Sequence, residues 1–339
     1  MGISEYFGCV SPVYYVFKET EFADLRFINY IFNTRELQKE LRRYANGILE
    51  IRLRVSASDI FKRKIPLPPK KEQTVIADYL DKKCREIDEI SDSIKEQITT
   101  LEQYKVSIIT EKINKGIVSS ETKDSGIDWL GEISKDYVIC RVKDITSLVT
   151  DGSHIAPDTS AETYKFVSVA DMDDFGRIDL DNCLMITEEQ YDYLVRTGCR
   201  PKARDVLISK DGTIGKTSIV DDNADYVVAS SLVIMRPNKT IIPEYLRYCL
   251  MSGFVQEQLN SLLSGSALRR VSVGKNANLK IVFCKDKRVQ EAVVHYLDEK
   301  CGLIDQAIIK KKEQLDTLEQ YKKSLIFEYV TGKKEAPAV

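Results

Sequence analysis

One glycine-bearing turn has residues that could cradle a phosphate. Gly212-Thr213-Ile214-Gly215-Lys216-Thr217 resembles the end of a phosphate-binding loop, in which backbone amides and a lysine hold nucleotide phosphates. That motif needs a further glycine at the position that Lys210 occupies. We therefore expect a β-turn with a phosphate-contacting lysine here, and no nucleotide site.

Other polar clusters lack the ligands of a metal site or a catalytic site. Asp171 to Gly176 imitates the start of a calcium loop, but Phe175 and Asn182 stand where oxygen ligands, including a glutamate, are needed. His154 has no serine, cysteine or acidic residue at a spacing typical of catalysis, so a structural or DNA-contacting role is favoured. The 8 cysteines form no C-x-x-C pair, and with 2 histidines we expect no structural zinc.

The sequence also has no methyltransferase signature. It contains neither an Asn/Asp-Pro-Pro-Tyr/Phe tetrapeptide nor a glycine-rich cofactor fingerprint. We therefore expect no catalytic residue, no metal and no cofactor on this chain.

The best candidates for binding DNA lie in and after the basic loop from Gly265 to Ser272. A glycine-led turn brings backbone amides near phosphates, arginine can bind guanine through two hydrogen bonds, and asparagine can bind adenine. The candidates are Arg269, Arg270, Lys275, Asn276 and Asn278. Secondary candidates are Ser153, His154, Lys210 and Lys216. The alternative interpretation is a solvated basic loop.

A repeated helical sequence is the framework for these residues. Tyr79-Leu80-Asp81-Lys82-Lys83-Cys84 returns as Tyr296-Leu297-Asp298-Glu299-Lys300-Cys301, and Leu101-Glu102-Gln103-Tyr104-Lys105 returns unchanged at Leu318 to Lys322. Both blocks are displaced by 217 residues, from 79 to 296 and from 101 to 318. Because solenoid repeats have periods of roughly 20–50 residues, we interpret this as one architectural unit used twice. It predicts two equivalent docking surfaces.

Each repeat lies in a segment that predicts a long helix. No proline or glycine occurs from Glu72 to Lys115, and apolar residues recur at heptad-like spacing. The helix-packing positions are Leu80, Ile87, Ile94, Leu101 and Ile108 in the first helix and Leu297, Ile304, Leu315, Leu318 and Leu325 in the second. Because an apolar stripe must be buried, we expect the helices to pack as an antiparallel coiled coil. The alternative is a generic coiled-coil dimerisation rod.

The segment between the helices predicts an α+β domain, because short β-rich runs alternate with turn dipeptides. The expected strands are Tyr137–Val142, Tyr164–Val169, Asp205–Ser209, Thr217–Val220, Tyr226–Arg236 and Leu279–Phe283. The expected helices are Thr187–Val195 and Glu244–Leu263.

Residues 1–71 resemble the end of a second such domain. Val10–Phe17 aligns with Ala229–Arg236, and Leu25-Arg26-Phe27 aligns with Leu246-Arg247-Tyr248. A counterpart of Trp129 to Val220 is absent, so the first domain is expected to be truncated.

This order of domains and helices resembles the specificity subunits of type I restriction–modification systems. The segments that carry the resemblance are Ile65–Gln73 before the first helix, Ser125–Gly131 at the domain opening, Asp151-Gly152-Ser153-His154, and Asp205–Gly215. The sequence departs from the family pattern at Ser134 and Tyr137, where proline and tryptophan are usual. In residues 283–290, before the second helix, only Gln290 matches the pattern. The expected layout is a first-domain remnant (1–71), a helix (72–118), a linker (119–127), a complete target recognition domain (128–286), a second helix (287–332) and a disordered tail (333–339).

The resemblance implies a non-catalytic DNA-recognition subunit. In such proteins each recognition domain reads half of a bipartite target in double-stranded DNA, and the helices hold the halves apart. The implied partners are methyltransferase subunits, which use S-adenosylmethionine, and restriction (translocase/endonuclease) subunits. A net charge of −2 neither favours nor excludes DNA binding. No apolar run long enough for a membrane span and no signal peptide occur, so a cytoplasmic protein is expected.

One complete recognition domain is expected to read one half-site. The hypothesis is that the other half is supplied by self-association or by a second specificity polypeptide, through the shared helices. The alternative is a truncated scaffold, or silent allele, that binds methyltransferase without productive DNA recognition.

Overall fold

The computed structural model describes residues 2–4, 6–11, 13–45, 54–118, 121–160, 163–263 and 270–337. The chain divides into two compact units. Unit 1 comprises Met1–Thr99 and Ile308–Val339, and unit 2 comprises Thr100–Ala307.

The elements run from short helices through a long helix and a mixed α/β region to a second long helix. The helices are α1 (Leu25–Phe32), α2 (Arg35–Arg42), α3 (Ala57–Phe61), α4 (Lys70–Lys115), α5 (Val142–Ile145), α6 (Glu188–Arg196), α7 (Pro243–Met251), α8 (Gly253–Leu263), α9 (Val273–Ala277) and α10 (Lys287–Val330). The strands are β1 (Thr122–Asp124), β2 (Glu132–Ser134), β3 (Val138–Arg141), β4 (Thr146–Asp151), β5 (Tyr164–Val167), β6 (Leu184–Ile186), β7 (Val206–Ser209), β8 (Thr217–Ile219), β9 (Tyr226–Val228), β10 (Leu232–Pro237) and β11 (Lys280–Phe283).

Unit 1 is a helical core in which the first part of α4 packs against the last part of α10. Asp24 caps the N-terminus of helix α1, because its carboxylate accepts hydrogen bonds from the backbone amides of Arg26 and Phe27. Phe27 is fully buried in the resulting apolar cluster. The other buried members of that cluster are Ile31, Leu37, Ile76, Ala77, Leu80, Ile87, Leu325, Tyr329 and Val330.

Unit 2 contains a four-stranded antiparallel sheet of order β4-β10-β7-β8 and a three-stranded sheet of order β6-β5-β9. Strand β10 is central and pairs Val233 with Asp151 of β4 and Leu232 with Ser209 of β7. Because both faces of the sheet are covered, residues 206–208 and 232–235 are all 0% exposed. The ends of β4 and β7 therefore lie on either side of the start of β10.

The α+β prediction with two long antiparallel helices is confirmed. In unit 1, Asp88 and Gln97 of α4 contact Lys322 and Lys311 of α10, so the helices run in opposite directions. Six of the helix-packing positions are buried: Leu80, Ile87, Ile108, Leu297, Ile304 and Leu325. The other four are partly exposed: Ile94, Leu101, Leu315 and Leu318. None of the described helices carries an apolar stretch that could cross a membrane.

The structure differs from the sequence-based expectations at two long elements and in the expected linker. The expected helix Glu244–Leu263 is two helices, because Ser252 adopts extended backbone angles and Gly253 N donates to Thr110 Oγ1 (2.7 Å). The expected strand Tyr226–Arg236 is interrupted between β9 and β10. The segment expected to be a linker contains β1, which pairs with β2.

Candidate functional site

The ends of β4 and β7 bring two sequence-predicted residues, Lys210 and His154, together around Asp151. Asp151, the last residue of β4, accepts a hydrogen bond from Lys210 Nζ, which follows β7 directly. His154 Nε2 lies 2.9 Å from the same carboxylate oxygen of Asp151. Lys210 is 3% exposed, whereas the side chain of His154 is 62% exposed. Lys210 therefore stabilises the strand ends from within, and His154 faces solvent.

Gly152 and Ser153 join this motif to the neighbouring sheet. A Cβ atom on Gly152 would lie 2.0 Å from Val228 O, so only glycine permits this approach of two backbones. Ser153 N donates to the same Val228 oxygen (2.8 Å), and Ser153 Oγ accepts from Ile155 N (3.1 Å). Because Ser153 is buried, its role here is to hold the loop.

Arg270 adds an exposed basic side chain to the residues at the ends of β4 and β7. Its Nε and Nη2 both donate to Asp211 Oδ2, at 3.0 and 2.7 Å, and half of its side chain is exposed. Val271 N donates to Lys210 O (2.9 Å), which ties Arg270 to the end of β7. Residues 264–269, which include the candidate Arg269, lie outside the described residues. We call Asp151, His154, Lys210, Asp211 and Arg270 the strand-end cluster.

Helix α9 carries the remaining candidates from the basic loop. Asn276 is fully buried, and its Nδ2 donates to the carbonyl oxygens of Val271 and Ser272, both at 3.1 Å. Lys275 and Asn278 are exposed. The structure therefore gives Asn276 a role in closing the turn before α9 and leaves Lys275 and Asn278 accessible to a ligand.

The segment that imitates a phosphate-binding loop forms the tight β7–β8 hairpin. Ser209 N donates to Lys216 O (2.9 Å), and Ser209 Oγ donates to Thr213 O (2.6 Å). A phosphate loop leads into a helix, whereas this turn leads into a strand. Lys216 Nζ donates to Met172 O (2.9 Å) and pairs with Asp174 (3.0 Å), so it is held against a neighbouring loop.

The acidic turn that imitates a calcium loop is closed by its own backbone. Asp173 Oδ1 accepts hydrogen bonds from Phe175 N and Arg177 N, both at 2.8 Å. Within the described ranges, no group of three or more histidine, cysteine and acidic side chains could hold a metal ion. All 8 cysteines lie in those ranges, and each is a free thiol.

Each long helix has the same buried glutamine in its first turn. The sequence identifies Gln290 only as a match to the family pattern and predicts no role for it. Gln73 Oε1 accepts from Asp24 N (2.9 Å), and its Nε2 donates to Phe22 O (2.9 Å) and Pro68 O (2.7 Å). In unit 2, Gln290 Oε1 accepts from Ile242 N (2.9 Å). Its Nε2 donates to Thr240 O (2.9 Å) and Cys284 O (2.8 Å). Both glutamines are 0% exposed.

A tyrosine–aspartate hydrogen bond also occurs once in each unit. Tyr30 donates to Asp81 and Tyr248 donates to Asp298, both at 2.7 Å. The two aspartates are equivalent positions of the repeat, so Tyr30 is the counterpart of Tyr248. The sequence alignment that placed Phe27 opposite Tyr248 is therefore wrong, because hydrophobic similarity alone did not fix the register.

The repeat also supplies an ion pair between the long helices in each unit. Lys322 Nζ lies 2.6 and 2.7 Å from the two carboxylate oxygens of Asp88 in unit 1. Lys105 Nζ lies 2.6 and 2.8 Å from those of Asp305 in unit 2. The lysines are equivalent positions of the repeat, and so are the aspartates. One packing device therefore explains why these residues occur twice.

Tyr104 and Tyr321 are identical in the two copies but are not needed for this packing. They are 56% and 54% exposed, which is unusual for two large side chains inside a helix-packing repeat. Each lies one residue before the lysine of its ion pair. The structure thus presents the same half-exposed aromatic residue at equivalent positions in both units.

Burial raises the pKa of the phenols and thiols around these contacts. The phenols of Tyr30 and Tyr248 have pKa values well above the usual tyrosine value, because of burial first and then their hydrogen bonds to aspartates. Burial raises the pKa of Cys301 to about 11. At neutral pH these groups stay protonated, so they act in packing and hydrogen bonding and not as nucleophiles.

Comparisons with known proteins agree with this architecture. Residues 14–100 match the family model described as the type I restriction modification DNA specificity domain. The specificity subunit of the type I restriction enzyme EcoBI of Escherichia coli is 23% identical over 210 residues. That match covers 58% of this chain and 42% of the relative, so the chain spans less than half the length of the curated protein.

A solved structure shares the fold. A chain from a structure of a type I R-M system has a TM-score of 0.63 at 16% identity, covering 93% of this chain and 73% of its own. The HsdS subunit from Thermoanaerobacter tengcongensis has a TM-score of 0.43 at 17% identity, with coverages of 93% and 72%. Residues 14–100 thus match the type I restriction modification DNA specificity domain, and the chain shares the fold of a chain from a type I R-M system.

Proposed function

We propose that this chain is a non-catalytic specificity subunit that reads a DNA half-site through the domain at 128–286 and docks methyltransferase subunits through its repeated helices. The observation that carries DNA reading is the exposed Arg270, which Asp211 fixes at the end of the buried strand β7. S-adenosylmethionine and the methyl transfer belong to the partner. This chain only positions the partner on the DNA.

The guanidinium of Arg270 is held in one orientation before DNA binds. Two hydrogen bonds to one oxygen of Asp211 set the plane of the guanidinium before any ligand arrives. A fixed arginine loses less side-chain entropy on binding, and a bidentate arginine–guanine contact contributes about 1–3 kcal/mol of base discrimination. The exposed Lys275 lies on the helix that follows and suits a phosphate contact, which positions but does not specify.

The test compares Arg270→Ala with Arg141→Ala. Both arginines are paired with an aspartate and both side chains are 50% exposed, but Arg141 lies outside the strand-end cluster. The duplex used is the motif that methylome mapping assigns to the assembled complex. At fixed salt we expect Arg270→Ala, and more so Arg269→Ala with Arg270→Ala, to weaken binding about 5- to 150-fold. The Arg141→Ala control should bind as the unchanged protein does.

Equal affinity of the Arg270→Ala and Arg141→Ala proteins would remove the cluster from the DNA interface. Methyltransferase binding provides an internal check, because neither arginine lies on the long helices. Loss of DNA binding together with loss of methyltransferase binding would indicate a folding defect instead.

Docking is assigned to the repeated aromatic positions. Exposed aromatic side chains are enriched at binding hot spots, and two equivalent ones suit two copies of one partner. With a purified type I methyltransferase subunit, native mass spectrometry should show two bound copies on the unchanged chain. Tyr104→Ala or Tyr321→Ala should leave one copy, and the double variant none. Tyr193→Ala, on α6 and 45% exposed, is the matched control.

The restriction subunits are proposed to join through the methyltransferase complex. Co-expression with methyltransferase, followed by methylome mapping, separates DNA reading from the scaffold alternative. A discrete methylated motif that depends on Arg270 supports the proposal. Stable assembly without any methylated motif supports the scaffold.

A further inference from the structure

The ion pair after β7 has a different geometry from the ion pair before it. Before the strand, Arg236 donates through Nε and Nη2 to the two different carboxylate oxygens of Asp205, at 2.9 and 2.8 Å. After the strand, Arg270 donates through the same two nitrogens to a single oxygen, Asp211 Oδ2. No hydrogen bond reaches Asp211 Oδ1 from the described part of the chain. The pair after β7 therefore leaves one carboxylate oxygen available as an acceptor.

The guanidinium of Arg270 also keeps donors for a ligand. A guanidinium has five N–H donors in a planar fork, and the hydrogen bonds to Asp211 use one on Nε and one on Nη2. One N–H of Nη1 and the second N–H of Nη2 point in parallel from the end of the group. Half of the Arg270 side chain is exposed. Its end therefore offers two adjacent donors, and Asp211 lies on the Nη2 side of them.

The backbone fixes the acceptor beside these donors. Asp211 and Arg270 form an isolated antiparallel β-bridge, and Val271 N donates to Lys210 O (2.9 Å). The side chain of Asp211 is 22% exposed, so it is partly accessible to a ligand. Two donors followed by one acceptor are thus arranged in a row before any ligand binds.

The free oxygen of Asp211 does not suit a phosphate, because two negative charges would repel each other. An ionised carboxylate only accepts hydrogen bonds, and covering it without a donor is unfavourable. In the major groove of DNA the available donors are the amino groups of cytosine and adenine. Asp211 Oδ1 therefore suits the edge of a base and not the DNA backbone.

One base pair has the row of groups that complements this pair of residues. Guanine has two adjacent acceptors, N7 and O6, and the cytosine paired with it has the N4 amino donor. An A·T pair has a donor between two acceptors, so one arginine donor would meet a donor. A C·G pair has the donor at the opposite end of the row. Only a G·C pair in one orientation matches two donors followed by an acceptor.

We propose that Arg270 and Asp211 together read one G·C base pair in the major groove. Arg270 donates to guanine O6 and N7, and Asp211 Oδ1 accepts from the N4 amino group of the cytosine. The proposal rests on the proposed reading of a half-site by this domain, and it names the base pair that is read. Asp211 is then a specificity-determining residue as well as the residue that orients Arg270.

The experiment uses the full chain assembled with a type I methyltransferase subunit, and the duplex motif that methylome mapping assigns to this complex. Single base-pair substitutions first locate the pair at which the Arg270→Ala protein no longer discriminates. That pair should be G·C. Two modified duplexes then remove one contact each. In one, 7-deazaguanine lacks the N7 acceptor. In the other, N4-methylcytosine still pairs with guanine but carries a methyl group where the free N4–H points into the major groove.

At fixed salt, each modification should weaken binding of the unchanged protein about 10-fold, which is the usual effect of one hydrogen bond to a charged group. In the Asp211→Asn protein the amide oxygen faces the guanidinium, because the amide nitrogen cannot accept a hydrogen bond. This protein should stay sensitive to 7-deazaguanine and bind the N4-methylcytosine duplex as tightly as the unmodified one. Asp211→Ala is a second variant with the same expected insensitivity at the cytosine.

The matched control is Asp144→Asn. Asp144 accepts from Arg141 Nε and Nη2 through both of its oxygens, each at 3.0 Å, and it lies outside the strand-end cluster. The control protein should keep both sensitivities of the unchanged protein.

Three results would overturn the proposal and leave DNA reading by Arg270 in place. The first is a base pair other than G·C at the position that Arg270 reads. The second is an unchanged protein that binds the N4-methylcytosine duplex as tightly as the unmodified one. The third is full sensitivity to N4-methylcytosine in both Asp211 variants, because the methyl group then acts by its bulk alone. If no motif is methylated, or if Arg270→Ala relaxes no position, the proposed DNA reading fails and this inference fails with it.

Discussion

Replacing Gln290 tests how the second long helix is anchored. Its fully buried amide satisfies one backbone N–H, of Ile242, and two carbonyl oxygens, of Thr240 and Cys284. Gln290→Met keeps the length of the side chain and removes all three hydrogen bonds. At about 1 kcal/mol for each bond lost, and more where a buried N–H is orphaned, the loss is about 3–4 kcal/mol. The apolar thioether recovers about 1 kcal/mol. We therefore expect a net destabilisation of about 2–3 kcal/mol.

Gln290→Glu sharpens the test through its pH dependence. An ionised glutamate would still accept from Ile242 N but would place an oxygen against two carbonyl oxygens, so burial and repulsion favour its protonated form. Its folded-state pKa would then lie above the unfolded value of about 4.3. A raised acid pKa means that the folded state binds more protons, so stability falls as pH rises from that unfolded value through the folded pKa. We expect the Gln290→Glu protein to be more stable at pH of about 5 than at about 8.

The assay is urea unfolding of the full chain, followed by hydrogen exchange so that each unit is measured separately. Gln73→Met is the matched variant, because Gln73 makes the same three bonds in unit 1. It should destabilise unit 1 by a similar amount and leave unit 2 unchanged. A loss below about 1 kcal/mol for Gln290→Met, or a Gln290→Glu protein whose stability does not depend on pH, would refute this reasoning.

Three other predictions follow from local contacts. Gly152→Ala should destabilise unit 2 by about 3 kcal/mol or more, seen as a lower urea midpoint, because its Cβ would meet Val228 O at 2.0 Å. Lys105→Met should cost about 2 kcal/mol and Lys322→Met less than about 1, because the first lysine is 11% exposed and the second 29%. Equal costs in urea unfolding would contradict this. Because burial raises the pKa of Tyr248, its contribution to stability is complete below about pH 10 and declines above it, so Tyr248→Phe should flatten the alkaline decline in urea midpoint.

The long helices could be predicted because their signal is local. A run without proline or glycine and a heptad-like apolar pattern are both properties of the helix itself, and α4 follows them from Lys70 to Lys115. Strand β4 was missed for the opposite reason. Its sequence, Thr-Ser-Leu-Val-Thr-Asp, is mostly polar, and it becomes a strand by pairing with β10 more than 80 residues later. Long-range pairing of this kind has no local pattern.

The candidate site was only partly predictable, because burial depends on partners from distant segments. Lys210 lies in a polar turn sequence that suggests a solvent-facing lysine, but Asp151 of β4 pairs with it inside the domain. Asn276 is likewise buried, because two backbone carbonyls accept from its amide. The acidic partners Asp151 and Asp211 were not candidates, since the search for DNA contacts favoured basic and amide side chains. The available signal was that each of these aspartates directly precedes a glycine in a turn dipeptide.

Identity between the two repeats has two different causes, and the structure separates them. Leu80 and Leu297 are buried, and Lys105 and Lys322 make ion pairs, so packing of the long helices accounts for these matches. Packing does not account for Tyr104 and Tyr321, because an exposed helix position accepts most polar residues at little cost. The proposed docking of one partner surface at both sites would supply a second constraint. If the tyrosine variants lose methyltransferase while their urea midpoints stay unchanged, docking explains the repeat. If stability falls with docking, the two tyrosines belong to the packing after all.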